Sequence, residues 1–458
     1  MQEKILQYLY FRYAIRNQNF NWLYSCLPAT PPVNQYTPYE AGILLDQVMD
    51  ELLDQHLGNG YCVVPISGGW DSRILLGAAM DRLDTGQIKT VSFGVKGQLD
   101  YEIGALISHK MGVEHLEVDL SKVELRWDEL LHSVQHAPWT FVPDAFYNEY
   151  SYSRVAGPND LLLSGYLGGG LTGDHFPRAA KNEAAVNQYI GEHRYIKNIQ
   201  LYQDGYSPAD VLLKLMPTHT RDPGRTLYYM VRQANGIAPI VTPQNKWSSW
   251  GGYMGKLPST NADVLAPFAH PDWAAYWLSA PAKALKEKKL YRKMMILKYP
   301  HLAKLPFKNG ARPGSIHYKI IKTKKKIKSR ISTIIQHGLN NHDQHRLIYN
   351  IERHISKNNQ HRLDNIIQRA IINLMPQKKI PNSAKYNYLD LARAFRERED
   401  YKTLLNQALV YLRENNTTPW LDTNQLKIQH TTHQANHARS FTVLIGLALN
   451  IENDRRRK

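Results

Sequence analysis

The chain has 458 residues, 43% of them hydrophobic and 10% aromatic, which is ample for a large catalytic core with additions and rules out a disordered or low-complexity protein. Its formal net charge of +17 is concentrated: positions 281–330 hold 17 lysines or arginines against one acid, Glu287. The rest of the chain is therefore close to neutral, which argues against a general nucleic-acid-coating protein and for a folded domain bearing one cationic stretch.

Reading from the start, the first 35 residues are aromatic-rich and end in the breaker cluster Pro28-Ala29-Thr30-Pro31-Pro32. They contain no apolar run of signal-peptide length. Helical spacing of Ile43, Leu44, Val48, Leu52 and Leu53 predicts a helix from Pro38 to Leu57, with Thr37 as its cap.

Strand and helix then alternate. Strands are expected at Val63–Ile66, Thr90–Phe93, Val113–Leu120 and Leu161–Leu163, with helices at Ser72–Leu83, Tyr101–Met111, Leu125–Val134 and Ala145–Val155. This alternation implies an α/β fold with a parallel sheet covered by helices on both faces. Positions 182–308 read as helices with aromatic connections, and the chain beyond Arg346 as further helices closing in a polar tail, Asp454–Lys458. The longest apolar run, Phe441–Leu449, is about half of the ~20 residues a membrane span needs. Cys62 sits in an apolar run and reads as a buried strand thiol. With Cys26 far away in sequence, the pattern suits a reducing cytoplasm, with peripheral contact at a membrane face allowed by the charge.

Two glycine-rich segments follow predicted strands. The first is Ser67-Gly68-Gly69-Trp70-Asp71-Ser72. A glycine pair between strand and helix lets backbone N–H groups approach phosphate oxygens, the serines add hydroxyl donors, and the helix start attracts an anion. Asp71 beside bare phosphate would be repelled, so its presence implies a bridging Mg²⁺. The alternative is a structural turn with an Asp helix cap. The second segment is Ser164-Gly165-Tyr166-Leu167-Gly168-Gly169-Gly170, leading through Gly173 to Asp174.

The first segment is that of the pyrophosphate-loop ATPases, and the surrounding chain, about 38–315, resembles the synthetase domain of asparagine synthetases. Supporting stretches are Ser92-Phe93-Gly94, Asp100 with Gly112 and His115, Leu163-Ser164-Gly165, Pro267-Phe268, and Leu305-Pro306-Phe307-Lys308. The resemblance implies an adenine-nucleotide α-hydrolase-like fold at 59–318. A helical, aromatic segment would precede it at 1–58, and a basic, helical region would follow at 319–458. It further implies that the nucleotide is ATP, contacted by Ile66, Ser67, Gly68, Gly69, Ser72, Ser92, Phe93, Ser164 and Gly165. Asp71 and Asp174 would hold Mg²⁺, and Lys308 would neutralise charge on the phosphates or on the tetrahedral intermediate. Lys308 equally reads as one solvated lysine of a basic run, and Asp174 as a helix cap or turn residue.

Two departures matter. Gly169 and Gly170 stand where the family carries acids, and residue 2 is Gln2 where glutamine-dependent members carry the nucleophilic cysteine of a glutaminase domain. The amine is then ammonia, delivered free or by a separate glutaminase, or an amino group on a second substrate. The expected activity is carboxylate adenylation followed by acyl transfer to that nitrogen. The carboxylate partner is a small molecule, glycan or peptide, anionic to match the 281–330 stretch, as in surface-polysaccharide or specialised-metabolite synthesis. Two other readings stand beside it: a pyrophosphate-loop enzyme that modifies transfer RNA, disfavoured by the lack of an RNA-binding module, and a degenerate ATP-binding partner protein. His430, His433 and His437 read as a helix surface.

Overall fold

A computed structural model describes residues 2–11, 35–139, 142–173, 210, 254–307, 394–395, 398–415 and 438–457. The helix expected near Pro38 is α2 (Pro38–His56), following α1 (Gln2–Phe11). Its start is fixed by a reciprocal cap in which Thr37 Oγ accepts from the Glu40 N–H and Glu40 accepts from the Thr37 N–H.

Next come β1 (Cys62–Pro65), α3 (Asp71–Met80), β2 (Ile88–Gly94), α4 (Leu99–Met111), β3 (Glu114–Asp119), α5 (Trp127–His136), α6 (Val142–Tyr152) and β4 (Leu161–Leu163). A short α7 (Gly168–Thr172) follows. The described chain resumes with β5 (Met254–Lys256), β6 (Asp263–Leu265), α8 (Pro271–Ser279), α9 (Ala282–Leu285), α10 (Lys289–Lys298) and α11 (Pro300–Ala303), and ends with α12 (Glu399–Glu414) and α13 (Ala438–Arg456).

The strands form one sheet in the order β3-β2-β1-β4-β6-β5, parallel except for β5. Alternation along each strand divides its side chains between two cores. Cys62 and Val64 of β1, and Leu161 and Leu163 of β4, face one side with Ile74, Ile103, Trp273 and Tyr291. Val63 and Leu162 face the other with Trp139, Tyr147, Leu404 and Leu444. Helices thus cover both faces, as a parallel sheet with apolar strands requires. Burial pushes the free Cys62 thiol up to about 12, so it is inert in the core.

The stretch expected to be purely helical contains β5 and β6. Three-residue strands carry no readable alternation, and Val264 and Leu265 alone look no different from a helix's apolar positions. The last helix also differs from expectation. Phe441–Leu449 is buried on every side, because α13 packs against α1, α5, α6 and α12. The expected tail at Asp454 is still helix through Arg456, and Asp454 pairs with Lys4 at 3.3 Å. Among the described residues no helix is long and apolar enough to cross a membrane.

Candidate functional site

Strand order reverses between β1 and β4: β2 and β3 lie on one side of β1, β4 and β6 on the other. Loops leaving the carboxyl ends of β1 and β4 diverge from the sheet side by side there, which is where α/β sheets place ligands. Both glycine-rich segments leave the sheet at this point.

Ile66 still donates to Val91 O at 2.8 Å, and the chain departs at Ser67. Ser67 N donates to Ser72 Oγ at 3.1 Å, the two serine hydroxyls lie 3.1 Å apart, and Gly69 N reaches Ser67 Oγ at 3.2 Å. Gly68 N donates to the Asp100 carboxylate at 3.1 Å. A loop amide already holding an anionic oxygen is one oriented for anions. Helix α3 then starts at Asp71 with Trp70 at its cap position, which supplies no side-chain acceptor to the first-turn amides. A Ser, Thr or Asp would normally serve there, so those donors suit an external anion.

The second segment lies directly on the first. A Cβ added to Gly165 would stand 3.5 Å from Asp71 Cβ and 3.7 Å from Ser72 N, and one on Gly168 would stand 2.6 Å from Asp71 Cγ. Lacking side chains, the two glycines let the second segment close directly on the Asp71 carboxylate and the start of α3, and together the two segments form a cradle there. Ser164 is buried and donates through its N–H to Leu265 O at 2.6 Å. Asp174, expected as a second carboxylate, lies outside the described residues.

Two residues not anticipated from sequence complete the surroundings of Asp71. The Tyr291 hydroxyl donates to its Oδ1 at 2.8 Å, and Lys288 Nζ lies 3.9 Å from the same oxygen. Lys288 is only 4% exposed, unusual for a lysine in a basic run. Glu287 and Lys288 both adopt left-handed φ, 58° and 55°. Such backbone costs roughly 1–3 kcal/mol at each non-glycine residue and persists where surrounding contacts impose it. Here it turns Lys288 inward between α9 and α10. In sequence Lys288 is hidden among Lys283, Lys286 and Lys289, which are solvated; the one available signal was Tyr291 three residues on, at helical spacing.

The segment ending in Phe307 also reaches the loop. Phe307 packs on Trp70 (centroids 4.3 Å apart) and under the Arg73 guanidinium (3.7 Å). Lys308, the next residue, lies outside the described residues.

At the end of β2, the Ser92 hydroxyl donates to Tyr101 O at 3.2 Å and lies 3.0 Å from His115 Nε2. The Phe93 ring turns to the opposite face against Tyr152. Both side chains are engaged internally, so what Ser92-Phe93-Gly94 offers a ligand is backbone. His115 Nδ1 lies 2.9 Å from Thr90 Oγ1, and burial lowers its imidazole to about 4. Its folded value lies below its unfolded one of 6.5. The neutral ring therefore stabilises the fold fully above about pH 6.5, and that contribution is lost as pH falls from 6.5 towards 4. Urea unfolding at stepped pH is expected to show a loss of about 3 kcal/mol at most across this window, and His115→Gln to flatten it. Identical slopes in wild type and variant would remove His115 as the cause.

Asp71 is the carboxylate available to a divalent ion here; among the described residues no group of three or more His, Cys, Asp or Glu is placed to hold a metal. One part-exposed carboxylate fits Mg²⁺, which takes most of its ligands from phosphate and water. No protein-family model matches the chain, and a search of curated proteins likewise finds no match.

Proposed function

We propose that this protein is an ATP-dependent, AMP-forming ligase with an adenine-nucleotide α-hydrolase-like core, joining a carboxylate to ammonia or an amine. The observation that carries the reading is the Ser67–Ser72 loop at the sheet's switch point, with Gly165 and Gly168 bringing the second glycine-rich segment against Asp71.

In this reading the amides opening α3, the Ser67 and Ser72 hydroxyls and the buried Lys288 ammonium receive the β- and γ-phosphates. Asp71 would hold Mg²⁺, which supplies charge neutralisation on those phosphates when bound. Tyr291 orients the Asp71 carboxylate. The substrate carboxylate oxygen attacks the α-phosphorus, forming an acyl–O–P bond as the bond to the β-phosphate oxygen breaks and pyrophosphate leaves with the electron pair. The amine nitrogen then attacks the acyl carbon and loses a proton to solvent. The C–O bond breaks, and AMP departs with that oxygen. The chain's contribution is positioning and preorganised charge. The lysines at 283, 286, 289 and 293 are exposed on the α9–α10 segment that carries Lys288, and they favour an anionic carboxylate substrate.

The test is mass spectrometry of products from Mg·ATP, ammonia or amines, and a panel of carboxylates that includes uronic-acid and phosphorylated compounds. AMP and pyrophosphate are expected. ADP with inorganic phosphate, or no nucleotide retention by the wild type, would overturn the reading.

A further inference from the structure

Arg73, two residues past Asp71, is fully buried, with no carboxylate in hydrogen-bond contact among the described residues. A cation in the first turn of a helix opposes the helix dipole, and burying it costs more still. Desolvation accordingly lowers the guanidinium to about 9, partly offset by the charge of Asp100.

Its donors go to backbone carbonyls. Nη1 reaches Leu302 O at 3.1 Å and Leu305 O at 3.2 Å; Nη2 reaches Pro306 O and, at 3.4 Å, Gly68 O. Its Nε has no hydrogen-bond partner among the described residues. The Gly68 carbonyl belongs to the Gly68–Gly69 peptide. In a trans peptide C=O and N–H point oppositely, so a carbonyl drawn inward to Arg73 sends the Gly69 N–H outward. The Gly69 N–H does lie on the serine side, at Ser67 Oγ. With no Cβ on either residue, rotation of this peptide would otherwise cost little. Asp100 holds the preceding peptide through the Gly68 N–H. Gly68 is thus gripped by an anion at its nitrogen and a cation at its oxygen.

We infer that Arg73 is a positioning residue for the pyrophosphate end of the nucleotide: it locks the Gly68–Gly69 peptide with its carbonyl inward, so that the Gly69 N–H is held on the Ser67 hydroxyl, on the side that would receive the ligand. The assignment of that ligand rests on the proposed ligase reading; the locking of the peptide does not. A merely structural role would be to anchor 302–307, whose carbonyls Arg73 also holds.

Three variants separate the roles. Arg73→Met removes the donors and keeps the bulk, Arg73→Lys keeps one donor, and Phe307→Leu loosens the 302–307 anchor by trimming the ring under the guanidinium while keeping every Arg73 donor. Titration calorimetry with Mg·ATP and with pyrophosphate, thermal midpoints, and amide exchange of the peptide spanning 66–72 without ligand are measured on each. Arg73→Met is expected to weaken both ligands at least tenfold and to speed exchange in 66–72. Arg73→Lys recovers part of both, and Phe307→Leu stays within threefold of wild type in affinity even where its midpoint falls as far. Wild-type exchange in Arg73→Met, or an equal affinity loss in Phe307→Leu, overturns the inference. Should wild type bind neither ligand, the ligase reading falls while the exchange comparison still decides whether Arg73 locks the peptide.

Discussion

Asp71→Asn is expected to lower AMP formation by about 10²–10³-fold while leaving the far-ultraviolet circular dichroism spectrum unchanged. Asparagine has the same shape and still accepts from the Tyr291 hydroxyl, so the cradle keeps its geometry. What disappears is one negative charge, and with it both the proposed Mg²⁺ ligand and the anionic oxygen 3.9 Å from the buried Lys288 ammonium. A stability loss is added, because neutralising one member of a buried pair leaves the other's charge less compensated. Tyr291→Phe supplies the graded control. It removes one hydrogen bond that orients the carboxylate, and about a tenfold effect is expected, at the lower end of the ~1.5–3 kcal/mol that a bond to a charged group contributes. Isothermal titration with Mg·ATP checks the same point without a known second substrate. An Asp71→Asn protein that binds Mg·ATP as tightly as wild type would sink the assignment.

The first half of the fold was legible because its signals are local. Thr37-Pro38 with Glu40 writes a helix start, and the apolar runs around Val63, Val91 and Leu162 write buried strands. Glycines following strands place both loops at one end of the sheet, and the fold puts Gly165 and Gly168 against Asp71. Other features depend on distant chain. That α13 is buried on all sides follows from its packing on α1, α5, α6 and α12, which an apolar nonet cannot announce. That β6 sits beside β4 depends on pairing between residues about 100 positions apart, with only three residues to carry it. Lys288 is the most telling case. Composition places it in a solvated basic run, and only the left-handed backbone at 287–288 turns it inward.

The two glycines of the second segment give the sharpest discrimination. A methyl on Gly168 would meet Asp71 Cγ at 2.6 Å and Oδ1 at 2.8 Å, closer than real Cβ contacts come. Asp71 is tied to Tyr291 and lies on the first turn of α3, so it cannot yield without losing its orientation. Gly168→Ala is therefore expected to cost about 10²-fold in AMP formation, close to removal of the carboxylate itself, because a displacement near 1 Å suffices for a loss of that order. A methyl on Gly165 meets Asp71 Cβ at 3.5 Å and Ser72 N at 3.7 Å, ordinary contact distances, so Gly165→Ala should fold with an unchanged thermal midpoint. It nonetheless adds a group in front of an amide that would receive phosphate, and about a tenfold weaker Mg·ATP affinity is expected. The pair thus separates a shifted carboxylate from a filled cradle: the first lowers turnover most, the second lowers binding at unaltered stability. If neither alanine changed turnover or binding, the space around Asp71 would be packing slack and no ligand would occupy it.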